Sequence, residues 1–392
     1  MSCDRKVSAG PVLLWFLLCL NPFTNTPWAQ SSWFQFSGYL KNMQWVFVPG
    51  SGNEILQSNL LHNRMNFKFE ITPEINFRLE GRNRMFFGDQ LKLVPDFTST
   101  IDQYDGLLDL SRVWADQPGF VMHSVVDRMV LQYVGNRWDF RLGRQRIHWG
   151  IHNSWNPNDL FNNYNFLDFD YEERPGSDAV KLAHIFSDGS TLELAYKPGK
   201  KDSNQVGGIL WKTNTRGYDF QALCGWFHRD LVLGGGWAGG IGKTGWKTEF
   251  SYFQPVNRAE ISEKQLSIST EFDRTFSGDW YVALSALYQS RAPDLNLLQN
   301  PLYDSGLDAK SLFPAHFAVL GSASKALTGL LSASLTVLYG DRRNLLLLYP
   351  GISWNTADNF QIDLTGQSFF SKLLSSYGSV GHSLYLRARW SF

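Results

Sequence analysis

The chain has 392 residues, with 36 Lys and Arg against 36 Asp and Glu, so its formal net charge at pH 7 is zero. That balance offers nucleic acid no basic footprint and a membrane surface no polybasic patch. It carries 15 Trp, 15 Tyr and 29 Phe, yet its mean hydropathy is −0.24. After the first 20 residues there is no long uncharged apolar run, which argues against a bundle of membrane helices.

Arg5 and Lys6 precede the apolar run from Val12 to Leu20, and a polar stretch leads to Ala29. A basic start, a short apolar stretch and a small residue before a cut describe an export signal. The expected division is a cleaved signal over 1–29 and a single folded unit over 30–392. Cys3 and Cys19 fall in the signal, leaving Cys224 alone in the mature chain. An exported chain with one cysteine has no internal disulfide framework and must hold itself together by packing and hydrogen bonding.

The first clear element pair is a hairpin. From Leu61 to Ile71 one face carries Leu61, Met65, Phe67, Phe69 and Ile71, and the other His62, Arg64, Asn66, Lys68 and Glu70. Period two means extended strand. Thr72-Pro73-Glu74 turns the chain, which resumes with Ile75, Phe77 and Leu79 opposite Asn76, Arg78, Glu80, Arg82 and Arg84. Similar segments are expected near 32–46, 123–134, 137–148, 178–187, 190–198, 205–214, 217–228, 230–241, 245–254, 263–275, 279–290, 313–325, 329–340, 343–354, 358–371 and 380–392. Alternate connections are short, as at Gly135-Asn136, Ser187-Asp188-Gly189, Thr215-Arg216 and Gly242-Lys243-Thr244. The intervening ones include three long stretches, 87–122, 149–177 and 291–312. Short turns at one rim and long loops at the other describe a transmembrane antiparallel β-barrel. The expected fold is therefore all-β, with about 18 strands (16–18).

Tryptophan placement agrees. Trp138, Trp246 and Trp280 open strands that leave the short-turn rim, and Trp211, Trp354 and Trp390 close strands that arrive there. Amphipathic rings at a lipid–water boundary form such a girdle. The final strand places Leu384, Leu386, Ala388, Trp390 and Phe392 on one face, and Ser383, Tyr385, Arg387, Arg389 and Ser391 on the other. It is similar to the closing strand of an outer-membrane barrel. That resemblance implies that Trp390 and Phe392 are read by the barrel-assembly machinery.

The most distinctive local sequence is Arg141-Leu142-Gly143-Arg144-Gln145-Arg146-Ile147-His148-Trp149-Gly150, followed by Trp155-Asn156-Pro157-Asn158-Asp159-Leu160-Phe161. Over roughly 141–180 the chain resembles porin-like outer-membrane proteins of Gram-negative bacteria, including alginate-export-type barrels, which carry a Gly-Arg-Gln segment, a Trp-Gly and an Asn-Pro-x-Asp-Leu-Phe-like loop. The resemblance implies a channel in lipid and lipopolysaccharide that passes small hydrophilic solutes without a cofactor. Residues 149–177 are too long for a plain hairpin and rich in aromatics, as expected of a loop folded inward against the wall. Its Asp168, Asp170, Glu172 and Glu173 would then face Arg64, Lys68, Arg78, Arg82, Arg84, Arg144 and Arg146. Opposed charges across a narrow lumen select solutes by charge and dipole. A salt-bridge network that plugs the interior uses the same residues.

Catalytic readings find little. His148 and His152 are four apart, but Gly150 intervenes and no Glu follows the first His, unlike a zinc-binding helix. Gly242-Lys243-Thr244 ends like a phosphate loop, but Trp237 stands where its leading Gly belongs. His382 and Ser383 are adjacent in a strand and point to opposite faces. The expectation is a passive channel with no enzymatic activity, no metal and no nucleic-acid partner. A polysaccharide export or assembly component, a membrane hydrolase and a non-conducting structural barrel are its rivals. The oligomeric state has no signal in the sequence.

Overall fold

The computed structural model describes residues 33–392 apart from 51, 53, 95, 103–105, 163–175, 202–203, 257–262, 293–306 and 374–375. The expected signal over 1–29 lies outside the described residues. The strands are β1 (Phe34–Pro49), β2 (Leu56–Glu70), β3 (Ile75–Gly88), β4 (Ser111–Gln117), β5 (Phe120–Val134), β6 (Trp138–Gln145), β7 (Ser177–Ile185), β8 (Thr191–Lys197), β9 (Val206–Thr215) and β10 (Tyr218–Phe227). They continue as β11 (Asp230–Ile241), β12 (Thr244–Pro255), β13 (Gln265–Phe276), β14 (Trp280–Gln289), β15 (Phe317–Ala326), β16 (Leu331–Gly340), β17 (Leu345–Ala357), β18 (Phe360–Leu373) and β19 (Ser376–Ser391).

All pairings are antiparallel, and β19 returns to β1 in register from Tyr39↔Ser391 to Pro49↔Gly381, which closes the sheet. Leaving out β4, the wall is the 18-strand barrel that the alternating pattern predicts. The seam ends on Phe392, whose N–H donates to Gly38 O and whose carbonyl accepts from Gly38 N, both at 2.9 Å. Its ring lies over Gly38, where an added Cβ would sit 2.8 Å from Phe392 Cζ. Trp390, Phe36 and Phe392 continue as ring contacts at 5.1 and 5.5 Å. Phe34, Phe69 and Phe77 extend this aromatic belt along the short-turn rim. Trp138, Trp211, Trp280 and Trp354 are exposed on the outside near that rim.

β4 and two short helical stretches, Gln90–Leu93 and Phe97–Ile101, lie within what the sequence presents as one loop, 87–122. β4 pairs with the long-loop half of β5, Ser111↔Val125 to Gln117↔Phe120. β6 pairs with the short-turn half of the same edge, Met129↔Arg144 to Val134↔Asp139. β6 stops at Gln145, where the chain turns inward, and β4 covers the backbone groups of β5 that β6 leaves open. An uncovered edge in apolar surroundings would cost several kcal/mol per group, in the range of about 2–7.

Side chains obey the alternation. Leu284, Leu335, Leu384 and Leu386 are exposed outward, while their neighbours Ser285, Ser383, Tyr385 and Arg387 are buried inward. One row interrupts the apolar outside: Trp114 Nε1 donates to Ser124 Oγ at 2.9 Å, Ser124 Oγ to Asn83 Oδ1 at 2.6 Å, and Asn83 Nδ2 to Asn63 Oδ1 at 3.3 Å. Each polar group in that row has a partner, which makes its position outside the lumen affordable.

The outside of β16 supplies a direct test. Leu335→Arg places a charge mid-strand on the apolar face and should destabilise the barrel by about 2–4 kcal/mol, whereas Thr336→Arg, facing the lumen, should cost under about 1 kcal/mol. Reversible urea unfolding in lipid vesicles measures both. Equal costs would contradict the assigned faces.

Candidate functional site

The site is built by the segment that leaves β6. Gly143 has φ +116°, a conformation reserved for glycine, and lies against the β5 backbone. Beyond Gln145 the chain enters the barrel, and Ile147, Trp149, Trp155, Leu160 and Phe161 are all buried. Trp149 and Phe161 meet edge to face at 4.9 Å among Ala195, Leu210, Leu223, Val232 and Phe253 of the inner wall. Trp149 fits because Gly208 has no side chain; a Cβ there would lie 3.0 Å from its ring. Trp155 packs in a second cluster with Leu287, Phe313 and Leu338.

An inward loop must satisfy its backbone from the wall. Glu249 of β12 is fully buried and accepts from His152 N at 3.0 Å, from Asn158 N at 3.2 Å and from Ile151 N. Asn158 Nδ2 donates to Gly235 O at 2.9 Å, Gln221 Nε2 to Trp149 O at 3.0 Å, and Ser269 Oγ to Trp155 O at 3.0 Å. Within the loop, Asp159 holds His148 Nδ1 at 2.7 Å. His152 is buried with neither ring nitrogen partnered. Burial, with the Lys247 ammonium nearby, lowers its pKa to about 3, so the ring is neutral at physiological pH.

Two arcs of the lumen differ in chemistry. On β1, β2, β3 and β5, Arg64 bridges Asp127 at 2.8 Å and Glu80 at 2.6 Å, and Arg82 reaches Asp127 at 3.1 Å. Arg84 donates to His123 Nδ1 at 3.1 Å, so Nε2 carries the proton and donates to Asp102 at 3.0 Å. Lys41 and Arg389 lie on opposite sides of the barrel seam, both over the Tyr39 ring at 5.3 and 4.5 Å. Arg387 is held by Asp363 at 2.9 Å. Across the barrel, the inward positions of β14 to β17 carry no charged side chain among the described residues.

The sequence-predicted cations therefore occupy four places. Arg64, Arg82 and Arg84 form one cluster around Asp127 and His123. Lys68 and Arg78 are paired across β2 and β3 closer to the short-turn rim, with Lys68 bonded to Glu70 at 2.7 Å. Arg144 lines the same cavity as Arg82, Arg84 and Asp127, donates to Asp178 Oδ1 at 2.8 Å, to Val126 O at 3.0 Å and to Leu108 O, and joins β5, β6 and β7 to the segment before β4. Arg146 is exposed at the mouth of the inward segment. Asp168, Asp170, Glu172 and Glu173 lie outside the described residues. Sequence reading missed Lys41, Asp127, Glu249 and Glu271 as lumen residues. Strand parity was the available signal for three of them; Asp127 was hidden by a bulge between Glu80 and Gly81.

No known protein-family model matches the sequence, and no curated protein matches it. Solved structures do. OccAB4 of Acinetobacter baumannii aligns over 94% of this chain and 100% of its own at a TM-score of 0.60 and 11% identity. OpdQ of Pseudomonas aeruginosa aligns over 92% and 98% at 0.59 and 9%. OccK8 (OprE) of the same organism aligns over 92% and 98% at 0.58 and 11%.

Glu249 gives the loop's anchoring a test. Glu249→Ala removes the acceptor for three backbone N–H groups, each costing about 1–3 kcal/mol when left unmade. The loop over 149–162 should become cleavable by protease in folded barrels, while β-sheet circular dichroism is retained. Unchanged resistance would show that packing alone holds it. At this level of identity the likeness concerns architecture: the chain has the closed antiparallel fold of outer-membrane porin structures.

Proposed function

We propose that this chain is a passive outer-membrane channel for small hydrophilic solutes. The observation that carries this is the closed wall with an apolar outside and a polar inside, narrowed by a loop that the wall itself anchors. The short turns then face the periplasm and the long loops the cell exterior. Residues 1–29 are the export signal and 30–392 the barrel. Lipid and lipopolysaccharide surround the band from the Trp138–Trp280 rim outward, and the assembly machinery engages the strand ending in Trp390 and Phe392. Residues 141–180 support a kinship with alginate-export-type barrels. Transport by this route requires no bond chemistry, so the chain is not an enzyme.

Charge would be sorted at the arc formed by Lys41, Arg64, Arg82, Arg84 and Arg389. These cations stand on adjacent strands in a space of reduced dielectric, where a fixed field acts strongly on a passing ion. Carboxylates at Asp127 and Glu80 compensate part of that charge and hold the guanidinium groups in place. Asp168, Asp170, Glu172 and Glu173 complete the opposing charge in this proposal.

Planar-bilayer recording of the purified barrel tests it. Discrete ohmic steps are expected, and a folded protein that stays silent would sink the channel reading in favour of a structural barrel. Arg82→Gln combined with Arg84→Gln should shift the reversal potential in a salt gradient, lowering anion preference about two-fold or more. An unmoved reversal potential would remove this arc from the selectivity filter.

A further inference from the structure

The uncharged arc forms a cavity of about 450 Å³, within the size range of small-molecule sites (about 300–1,000 Å³). Its roof is the tip of the inward loop, Asn153 and Ser154, and its wall is the short-turn half of β14 to β18. Around it stand the hydroxyls of Tyr281, Ser322, Ser334, Thr336 and Thr365. None of these donates or accepts a side-chain hydrogen bond within the described structure. Ser154 Oγ is likewise unpartnered, on a residue only 8% exposed.

The one carboxylate at the edge, Glu271, is already occupied. It accepts from Lys247 Nζ at 3.0 Å, Asn153 Nδ2 at 2.9 Å and Ser285 Oγ at 3.0 Å. An anion entering this cavity would meet a like charge, and an ammonium would find its counter-ion engaged. The groups left to bind with are hydroxyls, each able both to donate and to accept, interleaved with Leu320, Leu338 and the ring of Tyr349. Gly351 keeps the floor open, because a Cβ there would stand 2.9 Å from Ser334 Oγ.

From this geometry we infer that the uncharged arc is a binding subsite for a neutral polyhydroxylated solute of one or two sugar rings. Such a molecule alternates donors, acceptors and C–H faces, which matches the spacing of hydroxyl and apolar groups along the wall. The inference rests on the channel reading only for how the solute reaches the cavity. Binding itself does not need conduction, and the two are measured apart.

Calorimetric titration of the detergent-solubilised barrel with maltose should give saturable binding, with Kd of about 1–10 mM. Sodium hexanoate and a polyethylene glycol of matching size should show none. Gly351→Phe, which fills the floor, should weaken maltose binding about ten-fold or more. The near-isosteric pair Ser334→Ala and Thr336→Val should weaken it about five-fold, and serves if the larger substitution prevents folding. In bilayers, maltose should add saturable current noise to the wild type, and the paired variant should need about five-fold more maltose for the same noise. Absent maltose binding, or equal binding by the wild type and the paired variant, overturns the subsite. Silent bilayers with intact maltose binding would overturn the channel and leave the subsite standing.

Discussion

The constraint on which everything else depends is the completion of backbone hydrogen bonds in a wall whose outside is apolar. A strand edge facing that environment has no water to fall back on, so the sheet must close. Closure is why β19 meets β1 over eleven register pairs, Tyr39↔Ser391 to Pro49↔Gly381, and why the terminal Phe392 is bonded through both backbone groups to Gly38. It also explains β4. When β6 ends early to send the chain inward, the same edge of β5 has to be covered by something else, and a segment from the preceding loop does it.

That early departure of β6 creates the narrowed interior. The segment after Gln145 enters with its aromatic side chains against glycine-relieved and aliphatic wall, and with its amide groups on Glu249, Gln221 and Ser269. Glu249 alone takes three backbone N–H groups, so one side chain anchors the loop at three points. The loop divides the lumen laterally. Cations with their compensating acids occupy β1 to β5 and the seam, and hydroxyls with aliphatic groups occupy β14 to β17. In the proposed channel, a solute between them would meet a transverse field on one side and neutral hydrogen-bonding groups on the other.

Much of the wall was legible in the linear sequence. The alternation from Leu61 to Ile71 and from Ser383 to Phe392 reappears as outward and inward faces. The eighteen segments differ from the observed strands mostly by one to four residues at their ends, with the short turns where they are expected. β4 was not legible, because Ser111–Gln117 is short and its pairing exists only where β6 vacates the edge. Of the expected cation group, Arg144 lines one cavity with Arg82 and Arg84 and is also bonded to Asp178 and to backbone carbonyls. Nothing in Gly143-Arg144-Gln145 tells which groups that arginine will bond, since this depends on which strand passes beside it.

The sequence by itself determined which residues face out and which face in, because a period of two is a local property of extended backbone. It also determined where the chain reverses and an approximate count of 16–18 strands. Only the tertiary structure decided which inward residues share a level and an arc. That follows from register and strand stagger around the barrel, which set Arg64 beside Arg82 and Asp127 but place Ser334 and Thr336 against Gly351 and Tyr349. Residues far apart in the chain become neighbours there through non-local pairing, and no local pattern encodes that.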